Sequence, residues 1–163
     1  MDYYLGVFQT IGVHTLLGLS AYILLLTGQV SMAQIGFFAI GAYSSGVLTV
    51  IFSWHIYPAL AFGALLASFF AFLVGFPALR VKGLMLVIAT IAFSEIVRLI
   101  TFNFVWMVEK DGIMVGADGA QGFREIRYFT TNGWESSQVV TLIWIFVVIV
   151  MAMLWWLDRV KAG

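Results

Sequence analysis

The chain has 163 residues, of which 63% are hydrophobic and 10% charged, with zero formal net charge and a mean hydropathy of +1.04. That balance excludes an ordinary soluble domain and leaves no basic face for nucleic acid. With no cysteine, disulfides, thiolate catalysis and Cys-type zinc sites are excluded too.

A membrane-spanning helix takes about 20 apolar residues, and the chain offers about five such stretches. The first covers 4–26. It opens MDYYLG without Lys or Arg, so it is not a secretory signal peptide and is expected to remain in the mature protein. The second, 31–52, is unlike a plain anchor. In TGQVSMAQIGFFAIGAYSSG, Gln29, Ser31 and Gln34 interrupt the apolar run and Gly36, Gly41 and Gly46 follow. Amides and hydroxyls cost free energy in hydrocarbon unless hydrogen-bonded, so this segment reads as packed backbone or a watered cavity, either a full crossing or a broken, re-entrant one.

The third stretch, 57–79, begins at an interfacial cluster of Trp54, Tyr57 and Pro58. Along it Ala59, Gly63, Ala67, Ala71 and Gly75 recur every four residues, a small-residue face suited to close helix packing. The fourth, 84–104, holds Glu95 and Arg98, the ionisable side chains placed inside a span. Glu95 falls roughly 17 Å along that helix, where a charge needs a partner or water. Arg98 lies three residues on, in the favoured acid-before-base order. Both an ion pair holding the bundle together and a role in a permeation path fit this spacing. A polar loop over 105–137 precedes the fifth stretch, 138–157. The expected fold is all-α: a single polytopic transmembrane bundle over 1–163, with 105–137 as an external loop.

Basic residues set the orientation. Arg80 and Lys82 lie between the third and fourth stretches, and Arg159 and Lys161 follow the fifth. Two spans separate these clusters, so both fit the cytoplasmic side. The 105–137 loop is then outside, where five acids outnumber Lys110, Arg124 and Arg127. If all five stretches cross, the N-terminus is also outside; a re-entrant second segment reverses that.

No catalytic constellation stands out, and no GxxxxGK[ST] nucleotide loop is present. His14 and His55 lack metal-ligand spacing. Asp118, among Gly116, Gly119 and Gly122, is one carboxylate where calcium needs several ligands; a turn-rich loop surface is the better reading. No enzyme and no cofactor are expected.

Three blocks then carry a resemblance. LLLTGQVSMAQIGFFAIGAYSSGVL, FPALRVKGLMLVIATIAFSEIVRL and VGADGAQGFREI occur in that order. They resemble the signature blocks of bacterial ABC-transporter permeases for branched-chain amino acids, LivM type. In the first block Gly28, Gln29, Ser31, Gln34, Phe37, Phe38, Gly41, Ala42 and Tyr43 match. In the second, Arg80, Gly83, Leu84, Thr90, Phe93, Glu95, Ile96 and Arg98 match. Ala33, Met85 and the Gly116-Ala117 pair depart mildly from the pattern. The resemblance implies a permease subunit of an importer, with Gln29, Ser31, Gln34, Tyr43, Glu95 and Arg98 in or supporting the path. It implies a second permease subunit, cytoplasmic ATPase subunits and a periplasmic binding protein as partners, in the lipid of the bacterial inner membrane. Family permeases are much longer, so the chain is expected to correspond to the N-terminal half of one. The rivals are a non-transporting assembly or regulatory subunit, and a permease for urea or short amides.

Overall fold

The computed structural model of the chain describes residues 2–78, 80–81, 83–110, 112–124 and 132–161. Five helices occur among them: α1 (Asp2–Leu26), α2 (Gln34–Val50), α3 (Ile56–Ala78), α4 (Leu84–Asn103) and α5 (Ser136–Lys161). Three strands fall between the last two: β1 (Val105–Lys110), β2 (Ile113–Asp118) and β3 (Phe123–Arg124). Four helices are long and apolar enough to cross a membrane, and α2, at 17 residues, is shorter. This is a polytopic helical membrane protein with one small sheet.

Residues 1–29 and 132–163 form one compact unit, and 30–131 form another. In the first, α1 packs against α5. Gly12 is buried where a Cβ would meet the Ile143 side chain, so its lack of one lets the two helices close. Val147 and Leu154 supply the buried apolar surface of α5. The start of α5 is capped from one side: the Glu135 N–H donates to Gln138 Oε1 (3.3 Å), as in half of a capping box, and the Ser137 hydroxyl donates to the Glu135 carboxylate (3.2 Å). At the far end the Arg159 guanidinium lies 4.2 Å from the Trp155 ring centroid, which lets its charge ride on apolar surface at a helix end.

In the second unit α2 lies between α3 and α4. The α2–α3 crossing is built from small residues. A Cβ on Gly63 would sit 2.8 Å from the Gly41 carbonyl oxygen and 3.3 Å from Ser44 Oγ. Gly41 in turn faces Ala67. The upper part of the small-residue face is not used this way, because nothing lies within 4 Å of the corresponding position on Gly75. Arg80, in the turn joining α3 to α4, stacks over Phe76 at 5.3 Å; Lys82 lies outside the described residues.

Part of the segment expected as a polar loop over 105–137 is a small sheet. β1 and β2 pair antiparallel, from Val105 opposite Asp118 to Lys110 opposite Ile113, and β3 adds to β2 through Gly116–Arg124 and Ala117–Phe123. Val105, Trp106, Val108, Ile113 and Val115 are β-prone residues. Gly112 closes the hairpin at φ +76, in the left-handed region a two-residue turn demands. Val115 and Ala117 are buried. Among the described charged residues, Glu109 and Lys110 end β1, Asp118 ends β2 and Arg124 ends β3. Arg127 and Ile126 lie outside the described residues.

Candidate functional site

The polar, glycine-rich second segment is not one continuous helix. Helix α1 stops at Leu26 because Gly28 takes φ +74, which permits a double C-terminal turn. The Gly28 N–H donates to the Leu25 carbonyl (2.9 Å) and the Gln29 N–H to the Leu24 carbonyl (3.3 Å), the paired bonds of a Schellman ending. Gln29 thus commits its backbone donor to ending α1. From there to Met32 the backbone is outside any helix; Ala33 already has helical dihedrals (φ −70, ψ −16) and α2 begins at Gln34.

Backbone outside a helix carries donors and acceptors that hydrocarbon cannot satisfy. Helix α4 supplies the partners. The Met32 N–H donates to Thr90 Oγ1 (3.1 Å), and the Ser94 hydroxyl donates to the Met32 carbonyl (2.7 Å). Thr90 and Ser94 are four residues apart, hence on one face of α4. Thr90, only 3% exposed, also donates to the Val87 carbonyl at 2.9 Å, so its oxygen is used in both senses. Ser31 turns inward on its own segment, accepting the Ala33 N–H at 3.3 Å. Gly36 is buried, and a Cβ there would lie 2.8 Å from the Phe93 ring. Its absence brings the first turn of α2 onto α4, where Phe37 and Phe93 stack at 5.1 Å. Since Thr90 is six residues into α4, α2 starts about 9 Å past that helix's beginning. Gln34, in this first turn, has a buried side-chain nitrogen with no hydrogen-bond partner among the described residues.

Glu95 and Arg98 make the pair their spacing suggests, in the two-pronged geometry of a guanidinium on a carboxylate. Arg98 Nε lies 2.9 Å from Oε2 and Nη2 lies 2.6 Å from Oε1. The pair is not enclosed: the side chains are 60% and 51% exposed for Arg98 and Glu95. Tyr43 is placed elsewhere, with its ring 5.3 Å from Phe123 of the sheet.

Tyr43 also lines a cavity of about 560 Å³ between α2, α3 and α4, with Val47, Phe62, Phe70, Phe93 and Ile100. Two hydroxyls on its wall are turned back onto their own helices. Ser44 bonds the Ile40 carbonyl at 2.7 Å, and Thr101 the Arg98 carbonyl at 2.9 Å. Such a cavity suits hydrocarbon and offers nothing for the charged ends of an amino acid.

At the sheet, Gly119 sits at φ +49 and its N–H donates to the Phe104 carbonyl (3.0 Å), joining the sheet to the end of α4. Gly116 has φ +134, beside the β1 backbone where a side chain would not fit. Asp118 is committed twice: its carboxylate pairs with Arg124 at 3.2 Å and its N–H donates to the Gly122 carbonyl at 2.8 Å. Among the described residues no group of three or more His, Asp or Glu could hold a metal ion.

The sequence reading missed Ser94 altogether and met Thr90 only as a motif match. Their i, i+4 spacing as hydroxyls in an apolar helix was the available signal.

A family model described as branched-chain amino acid transport system / permease component matches residues 3–162. Over 92 residues the chain is 36% identical to the high-affinity branched-chain amino acid transport system permease protein LivM of Escherichia coli (strain K12). It is 35% identical, over the same length, to the protein of that name from Salmonella typhimurium (strain LT2). In both cases the match covers 56% of this chain and 22% of the relative. No solved structure matches the chain. The family model spans nearly all of the chain, which belongs to the permease-component family of branched-chain amino acid transport systems.

Proposed function

We propose that this chain is part of the membrane-embedded permease of an ABC importer for branched-chain amino acids, with the broken second segment beside the translocation path. The observation that carries this reading is the non-helical stretch before α2, held by Thr90 and Ser94 of α4. Interrupted segments of this kind are built where a membrane protein must offer polar groups to a solute. The Glu95–Arg98 pair of α4, with both side chains at least half exposed, supports it. A mid-span ion pair needs water or polar protein opposite it.

In this reading the transport partners are a second permease subunit, two cytoplasmic ATPase subunits that carry out the hydrolysis, and a periplasmic binding protein that docks on the side of the sheet. The chain itself performs no catalysis. The membrane is the bacterial inner membrane, with the Arg80 turn on the cytoplasmic side. The test is uptake of labelled leucine against urea in cells carrying the transporter's other subunits, with wild-type chain, Thr90→Val and Gln34→Leu. The reading expects leucine uptake that both variants reduce, and co-purification with the ATPase subunits. Urea uptake in its place would overturn the substrate. Normal assembly with no effect of the chain on any uptake would make it a non-transporting subunit.

A further inference from the structure

We propose that Lys110 is a latch between the sheet and the C-terminal end of α2, and that α2 acts as a rocking bar carrying displacement of the sheet to the broken stretch at Met32. The inference concerns this chain's own mechanics and does not depend on which solute is moved.

The last carbonyls of a helix have no partner within it. At the end of α2 one of these, on Val50, accepts from Lys110 Nζ at 2.8 Å. A cation there also meets the negative end of the helix dipole. The same ammonium donates to Ser53 Oγ at 2.6 Å. Ser53 has φ +55, the one non-glycine in the left-handed region among the described residues. Such a conformation is costly for a residue with a Cβ, and helix ends of this kind ordinarily use glycine. Retaining serine leaves a hydroxyl for the ammonium to hold. The turn Ile51–Trp54 is thereby fastened, through Ser53, to a lysine 57 positions away on β1.

The sheet has a second point of contact with the same helix. The Phe123 ring lies where a Cβ on Gly46 would be, 3.1 Å away, and stacks on Tyr43. So the sheet grips the C-terminal half of α2 at Lys110 and at Phe123. The opposite end is fixed to α4 by the two bonds of Met32. Between these anchors α2 is 17 residues without proline, a stiff rod of about 25 Å. Near its middle it crosses α3 at Gly41 against Gly63, where a Cβ on Gly63 would meet the Gly41 carbonyl oxygen. A straight helix held at both ends by polar anchors has the parts of a lever.

The test is site-resolved hydrogen exchange on the full chain in lipid nanodiscs, comparing wild type, Lys110→Met, Lys110→Arg, Thr90→Val and the Lys110→Met/Thr90→Val double variant. The Ile51, Phe52 and Trp54 amides, which bond to Val47 and Leu48, report the latch. The Met32 amide reports the far end. Lys110→Met is expected to speed exchange of the near amides about tenfold, as loss of a charged-group hydrogen bond implies. Met32 should also exchange at least about twofold faster, and the double variant should depart from the product of the singles by more than about twofold, beyond what uncoupled distant sites show. Lys110→Arg, which keeps a donor, should restore both ends. Faster exchange confined to 51–54 with multiplicative singles would overturn the lever and leave a simple helix cap. Unchanged exchange at 51–54 would overturn the latch as well.

Discussion

Replacing Thr90 with valine isolates the bond on which the broken segment depends. Valine keeps the shape of threonine, so the buried volume at this 3%-exposed position is conserved. What is lost is the oxygen that accepts the Met32 N–H at 3.1 Å. A buried donor left without a partner costs about 1–3 kcal/mol, whereas polar contacts between membrane helices average about 0.6 and reach about 1.7 kcal/mol. The membrane values are small because the reference state finds other partners. Met32 has few, since the other α4 hydroxyl that reaches it, Ser94, is engaged with its carbonyl. The upper part of the membrane range, about 1.5 kcal/mol, is therefore expected. That is roughly a tenfold rise in opening at Met32. Thr90→Ser is the control: it retains the oxygen and loses one methyl, about 0.8 kcal/mol of burial. In a detergent unfolding titration the valine variant should lose about twice as much stability as the serine variant, and in hydrogen exchange Met32 should be exposed in the valine variant alone. Equal Met32 protection in both would refute the assignment of Thr90 as the support of this backbone.

Other substitutions probe the remaining contacts. Gly63→Ala places a carbon 2.8 Å from the Gly41 carbonyl oxygen, so the α2–α3 crossing must spread at a cost of about 1–3 kcal/mol; Gly75→Ala has open space and should stabilise α3 by up to about 1 kcal/mol. Thermal midpoints in detergent moving in opposite directions would bear this out. Glu95→Gln leaves Arg98 charged in the span and should lower the yield of membrane-inserted protein, while Glu95→Gln/Arg98→Gln removes both charges and should recover much of it. A double variant worse than the single would contradict the pairing as the main interaction of these groups. Asp118→Asn breaks a half-exposed pair and should move the midpoint by about 0.5 kcal/mol or less. Gly119→Val, at φ +49 against the Phe102 carbonyl, should detach the sheet from α4 and expose the Val115 amide to exchange.

The helices were legible because apolar length is a strong signal. The third and fourth stretches end within a residue or two of α3 and α4, and the anomaly of Gln29, Ser31 and Gln34 marked where the second segment breaks. What stayed hidden was mostly non-local. Lys110 meets Val50 across 60 residues, and Thr90 meets Met32 across 58; no periodicity within one helix reveals such bonds. The sheet was missed for a different reason. Its strands are six residues or fewer, and charges at Glu109, Lys110, Asp111 and Asp118 masked two β-prone runs around an Asp-Gly turn signal. The Glu95–Arg98 bond itself was readable from helix geometry. Its exposure was not, because spacing fixes which side chains meet and says nothing of what lies opposite them.

The most direct test of a broken second segment is backbone chemical shifts of the labelled chain in lipid bilayers by solid-state NMR. Non-helical Cα and carbonyl shifts are expected from Gln29 to Met32, with helical values beginning at Ala33, whose φ −70 and ψ −16 are already those of a helix. Continuous helical shifts from Gly28 to Val50 would contradict the account at its centre, because Met32 would then have no free backbone groups for Thr90 and Ser94 to hold.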